Sequence, residues 1–186
     1  MTQSAIEEIL NAYEACGDLD YGENISMREH MLQTACLAER GGHDERVIVA
    51  ALLHDYGHLV CNQPNNIFSE GNDNFHESIG ARALGQWFDK EIVGAVRLHV
   101  DAKRYLCGKN PKYLTKLSEA SITTLAVQGG PMNSEEMLGF REQAGYKMAL
   151  TVRVYDDLGK EPTMSRPELE HYVPMLRRCL SAGPSA

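Results

Sequence analysis

The sequence predicts a single all-α domain spanning residues 1–186. Three observations carry that reading. Apolar residues recur at helical spacing through most of the chain, capping signatures stand where stripes begin, and alternating strand patterns are weak. No internal repeat, low-complexity block or linker interrupts the pattern, and 43% hydrophobic content over 186 residues suffices for one sizeable core.

Ile6, Ile9, Leu10 and Tyr13 form one stripe, so a first helix should end before Gly17. A loop, Asp18-Leu-Asp-Tyr-Gly-Glu-Asn24, follows. Ser26 and Glu29 match a capping box and open a second helix that Gly41-Gly42 should stop. A third helix takes Asp44 as its N-cap and buries Val47, Ile48, Ala51 and Leu52. Residues 61–75, rich in Asn, Gly and Pro, read as a long loop of the kind used as lids or binding loops. Further helices are expected at 76–88, 90–99, 118–128, 134–142 and 145–156. Pro167 suits the first turn of a last helix, and the tail from about residue 181 reads as frayed.

A formal net charge of -8 argues against a nucleic-acid surface, which needs a basic excess, but leaves room for a small anionic substrate held by a few local cations. No apolar run approaches membrane-span length, and Met1-Thr-Gln-Ser-Ala-Ile-Glu-Glu lacks a basic n-region before an apolar one, so a cytoplasmic protein is expected. The five cysteines are odd in number and lack C-x-x-C spacing, which suggests reduced thiols rather than a disulfide framework or a cysteine zinc site. Oligomeric state is not legible.

The stretch Ala50-Ala-Leu-Leu-His-Asp-Tyr-Gly-His58 is an apolar helix that turns abruptly polar, with His58 expected one turn after His54 on the same face. Carrying His54 and Asp55 into a core costs several kcal/mol, on the order of 2–7, unless something pairs with them, and a metal ion binds neutral imidazole and ionised carboxylate together. Five histidines and two aspartates fall where helices could present them inward: His30, His54, Asp55, His58, His76, His99 and Asp156. Lys103 follows His99 by one turn, Arg153 precedes Asp156 by nearly one, and Ser121 and Thr124 are i, i+3. These pairs set cations and hydroxyls beside the candidate ligands, as an oxyanion bound at a metal requires. Four imidazoles and two carboxylates exceed what one tetrahedral zinc ion needs and suit two metals with Asp55 as the natural bridge. Taken singly, most of these residues have an ordinary structural explanation. A buried histidine is commonly a hydrogen-bonded core group, His43 and His171 should simply be exposed, Arg153 has Asp157 to pair with, and Ser121 can bond back within its helix. Together, their order and spacing favour a site.

The order His30, His54-Asp55, His76, His99, Asp156 resembles that of HD-domain proteins, helical metalloproteins that include many phosphohydrolases, and within them the dinuclear, mixed-valent diiron oxygenases. His54-Asp-Tyr-Gly-His58, His99-Val-Asp-Ala-Lys-Arg-Tyr-Leu106, Gln128-Gly-Gly-Pro-Met132 and Arg153-Val-Tyr-Asp156 are similar to motifs of the phosphonate-cleaving oxygenases of that group, and the likeness runs from Asp18 to about Asp157. Those enzymes oxidise 1-hydroxy-2-aminoethylphosphonate or its N-trimethyl relative.

The resemblance implies that His30, His54, Asp55, His76, His99 and Asp156 hold two irons, an Fe(II)/Fe(III) pair, with dioxygen as co-substrate. It implies that His58, Lys103, Ser121, Thr124 and Arg153 surround the phosphonate, with Tyr21 and Glu23 as a gate over the iron and a partner of the substrate nitrogen. Here the segment between Tyr21 and His30 is one residue shorter than in the aminophosphonate enzyme. A trimethylammonium cannot donate an ordinary hydrogen bond and is held better by aromatic faces and a carboxylate, for which Tyr21, Tyr56, Tyr105 and Glu23 are the candidates. The reading is therefore oxidative C–P cleavage of the trimethylammonio substrate to phosphate and glycine betaine, with the amino substrate giving glycine as the alternative. An HD phosphohydrolase acting on an ester, and a non-catalytic ligand-binding module, are the rival readings.

Overall fold

The stripes become helices in the computed structural model, which describes residues 2–60 and 75–181. The elements are α1 (Thr2–Cys16), β1 (Asp20–Gly22), β2 (Ile25–Ser26), α2 (Met27–Arg40), α3 (Glu45–Leu53), α4 (Tyr56–Val60), α5 (His76–Leu84), α6 (Lys90–Lys109), α7 (Glu119–Val127), α8 (Ser134–Arg141), α9 (Tyr146–Leu158) and α10 (Leu169–Cys179). The fold is all-α: apart from the β1–β2 ribbon and one bridge between Phe88 and Leu180, the regular elements of the described residues are helical. None of these helices is long and apolar enough to cross a membrane.

The local signals act as expected at several boundaries. Ser26 caps α2 in a reciprocal box with Glu29, and Asp44 accepts the Val47 N–H at the start of α3. Other boundaries differ. The Asp18–Asn24 segment is not a plain loop, because its end folds into the hairpin. The helix expected at 76–88 stops at Leu84, and the one expected at 90–99 runs on to Lys109, since buried Ala102, Tyr105 and Cys107 prolong its inward face. Pro111–Lys116 adds a 3-10 turn. Pro167 lies before α10 rather than in its first turn, and Pro174 sits inside that helix. The loop expected at 61–75 falls outside the described residues up to 74, as does the tail from 182.

One large apolar cluster gathers residues from the helices other than α7, whose Leu125 packs with Cys107 and Leu117 in a smaller one. In α3, Ile48 to Leu53 are all buried, so this helix is apolar on every side and runs through the interior between α2, α6, α9 and α10. Whatever follows Leu53 is therefore delivered into the core. His54 and Asp55 follow it, and there the helix breaks: α4 starts at Tyr56, and the single continuous helix expected through His58 does not form. The break leaves carbonyls of the last turn needing donors. The Tyr13 hydroxyl donates to Leu52 O at 2.6 Å, and His54 Nδ1 donates to Ala51 O at 2.8 Å.

α4 meets α5 almost backbone to backbone. A Cβ on Gly57 would stand 1.9 Å from His76 O and 3.0 Å from Gly80 N. That contact sets the spacing between the His54–Asp55 break and His76. Gly57→Ala should therefore destabilise the fold by roughly 1–3 kcal/mol in denaturant unfolding, as overpacked cores do. Gly139→Ala, with nothing within 4 Å of the added carbon, should leave stability equal or slightly raised.

Candidate functional site

Four imidazoles converge on Asp55, each from a different backbone position. His30 comes from α2, His54 from the break, His76 from the first residue of α5 and His99 from the middle of α6. Three are oriented the same way. Nδ1 of His30 meets Gly159 O at 2.8 Å, Nδ1 of His54 meets Ala51 O at 2.8 Å, and Nδ1 of His99 meets Val96 O at 2.7 Å. A carbonyl can only accept, so these rings carry the proton on Nδ1 and turn the Nε2 lone pair inward. For His76, the Nδ1 side faces Glu77 Oε2 at 3.6 Å.

The inward nitrogens pair off. His30 Nε2 and His54 Nε2 are 3.1 Å apart, and so are His76 Nε2 and His99 Nε2. Asp55 divides its carboxylate between the pairs: Oδ2 lies 3.6 Å from His30 and 3.3 Å from His54, while Oδ1 lies 3.3 Å from both His76 and His99. Asp156 joins the first pair only, with Oδ1 3.3 Å from His30 Nε2. Donors about 2.0–2.2 Å from one ion, at tetrahedral or octahedral angles, are separated by about 2.8–3.6 Å. Both trios, His30–His54–Asp55 and Asp55–His76–His99, meet that spacing and could each hold a metal ion.

The electrostatics ask for cations. Burial opposes ionisation of both carboxylates, yet the histidines around Asp55, and Arg153 with the histidines around Asp156, hold each well below the usual carboxylate range. Burial likewise opposes protonation of His54, but Asp55 and Asp156 outweigh it and lift its pKa to about 9. Two imidazole nitrogens this close together, beside a buried carboxylate oxygen, form a donor arrangement that a shared metal ion would satisfy. The donor set fits a pair of metal ions.

His58 stacks on His76, with ring centroids 4.1 Å apart and planes 18° apart, rather than repeating the face of His54. Burial, then the neighbouring His76, pushes its pKa down to about 3, so it is neutral. Lys103 is buried and donates to Thr124 Oγ1 at 2.8 Å, and burial followed by Arg153 lowers its pKa to about 7. Thr124 itself bonds back to Ser121 O at 3.2 Å. Arg153 is not only a partner of Asp157, as its ordinary reading had it. It also grips Asp156 at 2.8 Å, which ties the cation to the donor cluster and leaves its buried Nε without a hydrogen-bond partner.

On the opposite side the half-buried Tyr21 lies flat on His30, with centroids 3.8 Å apart and planes 14° apart, and burial with the Asp156 and Asp55 charges pushes its hydroxyl above the usual phenol range. Tyr56 and Tyr105 do not join it: both are core residues, Tyr105 stacked on Phe140 with its hydroxyl accepting from Arg141. His43 is half-buried against Tyr155 rather than exposed, because its Nε2 meets the Tyr155 hydroxyl at 3.0 Å, while His171 is exposed and pairs with Glu39. Ser121 does not bond back within its helix. Its hydroxyl accepts from Lys160, 3.1 Å away, a residue the sequence reading passed over. The signal was present: Lys160 follows Asp156 by four residues, as Lys103 follows His99. The carbonyl of Gly159, which orients His30, has no side-chain signature at all.

The model of the HD domain family matches residues 27–128. The chain is 43% identical over 174 residues to a (1-hydroxy-2-(trimethylamino)ethyl)phosphonate dioxygenase (glycine-betaine-forming) of Leisingera caerulea, covering 93% of this chain and 89% of that protein. It is 36% identical over 167 residues to a hydroxymethylphosphonate dioxygenase of Gimesia maris, covering 88% and 82%. An uncharacterised protein of Acanthamoeba polyphaga mimivirus is 40% identical over 180 residues, covering 95% and 82%.

Because Asp55 serves both histidine pairs whereas Asp156 serves one, their removal should differ. Asp55→Ala should lose both metal ions when bound metal is counted by elemental analysis, while Asp156→Ala should keep the ion at His76 and His99. Equal retention in the two variants would show that Asp55 does not bridge.

Proposed function

Since the chain belongs to the HD-domain family, we propose that it is a diiron dioxygenase that cleaves the C–P bond of 1-hydroxy-2-(trimethylamino)ethylphosphonate, giving phosphate and glycine betaine. The observation that carries this reading is the division of one Asp55 carboxylate between two histidine pairs. Each trio is a two-histidine, one-carboxylate set, the donor arrangement of non-haem iron oxygenases. The extra carboxylate of Asp156 makes the two positions unequal, and the His76–His99 position has one protein donor fewer. The relatives that act on phosphonates support the substrate class.

In this reading His30, His54, Asp55 and Asp156 hold one iron, and His76, His99 and Asp55 hold the other. The bound Fe(II)/Fe(III) pair with dioxygen supplies the one-electron oxidation chemistry that no side chain provides. The protein's own groups bind and orient. Lys103, Ser121, Thr124 and the unpartnered Nε of Arg153 donate to the phosphonate, whose negative charge restores the protonated form of Lys103. Neutral His58 lies against His76 and gives a hydrogen bond without adding charge. Tyr21 covers His30 and shields that side from water, and Glu23 faces the quaternary nitrogen. The balance closes: substrate and O2 become glycine betaine, hydrogen phosphate and one proton, with both oxygen atoms retained. A cytoplasmic setting is supported by the free thiols of Cys16, Cys36, Cys107 and Cys179.

Iron-loaded protein with a reductant should release phosphate from the trimethylamino substrate in air and not under nitrogen. Lys103→Met should lower kcat/KM about 100-fold or more, the scale of truncating one partner of a buried charge pair, with metal content unchanged. Phosphate release that is equal without oxygen, or hydrolysis of a phosphate ester instead, would assign the site to a phosphohydrolase.

A further inference from the structure

We infer that Lys160 and Glu23 form an internal ion pair that a zwitterionic substrate replaces, and that this exchange sets a preference for phosphonates carrying a cationic nitrogen. The inference rests on the phosphonate reading above and adds a specificity residue to it.

Lys160 is largely buried, with its side chain 9% exposed. Its Nζ lies 3.4 Å from Glu23 Oε1 and 5.5 Å from the centroid of the Tyr21 ring. A carboxylate beside an aromatic face is the environment that recognises a quaternary ammonium. The protein's own ammonium therefore occupies the place suited to the substrate's cation. Its other partners are hydroxyls at the start of α7, Ser121 Oγ at 3.1 Å and Ser118 Oγ at 3.4 Å. Thr124, one turn along the same helix, accepts from Lys103. Lys160 thus touches both the cation side and the anion side of the site.

The backbone at Glu23 supplies a separate observation. Gly22 pairs with Ile25, so Glu23 and Asn24 form the two-residue turn of the hairpin, with φ of 57° and 62°. Turns with both central residues left-handed favour Asn and Gly, and a glutamate at the first position is strained. The residue kept at this strained position is the one whose side chain reaches Lys160.

Substrate exchange conserves charge pairing. The trimethylammonium displaces Lys160 Nζ from Glu23 and Tyr21, and the freed ammonium, still beside Ser121, takes a phosphonate oxygen. One ion pair becomes two, and no charge is left alone. A phosphonate without a cationic nitrogen, such as hydroxymethylphosphonate, offers only the anion, so drawing Lys160 to it leaves Glu23 unpaired, and its binding is penalised.

The test is anaerobic calorimetric titration of the iron-loaded full chain with the trimethylamino substrate and with hydroxymethylphosphonate, reading the ratio of the two Kd values. Glu23→Gln should reduce the preference for the cationic ligand about tenfold or more. Lys160→Met should raise it several-fold, since Glu23 is then free for the substrate cation, and Lys160→Arg should return it toward wild type. Ratios that stay within about twofold of wild type, or that move the same way in both the Gln and Met variants, overturn the exchange. Wild type that binds with the expected ratios yet releases no phosphate in air overturns the dioxygenase reading and leaves the exchange standing. Wild type that binds neither ligand overturns both.

Discussion

The buried carboxylate of Asp55 is the constraint around which the other features arrange themselves. It stands at the end of α3, a helix apolar on every side, and is 5% exposed. An ionised group in such a place is tolerated only when its oxygens are satisfied, and here each oxygen faces a separate pair of imidazole nitrogens. The regular helix ends there, and α4 begins at Tyr56. Tyr13 and His54 cap the carbonyls that the break exposes.

Around this centre the polar groups are oriented chiefly by backbone. Three histidines lean on carbonyls of Ala51, Val96 and Gly159, so the ring directions follow from helix geometry and from the end of α9. The close approach of Gly57 to His76 brings the fourth ring in. Cations then stand on the flanks, Lys103 with Thr124 and Lys160 with Ser121, while Arg153 ties Asp156 to Asp157. A buried donor cluster flanked by lysines suits the proposed pair of ligands, with metal ions inside and an oxyanion at the edge.

Much of this was legible in the chain because helices repeat at a period that places His99 with Lys103 and Arg153 with Asp156. Capping boxes marked α2 at Ser26, and the apolar run into His54-Asp55 marked the centre itself. What was not legible depends on contacts distant in sequence. Helical spacing left Tyr56 and Tyr105 open to either a core or a cation-binding role until the fold packed them inside, and His43 is half-buried only because Tyr155 arrives from α9. The hairpin at Tyr21 is too short to leave an alternating pattern, and Lys160 takes its role from Glu23, 137 residues earlier in the chain. The division between α3 and α4 at His54 and Asp55 was likewise not marked in the sequence.

The central claim, one carboxylate shared by two metal ions, is tested most directly by X-ray absorption on the iron-loaded protein. A bridged pair predicts a metal–metal scattering path at roughly 3.5–4 Å, together with nitrogen and oxygen donors and no sulfur. A single-iron spectrum at full loading, without any metal–metal path, would contradict the shared Asp55 and the chemistry built upon it.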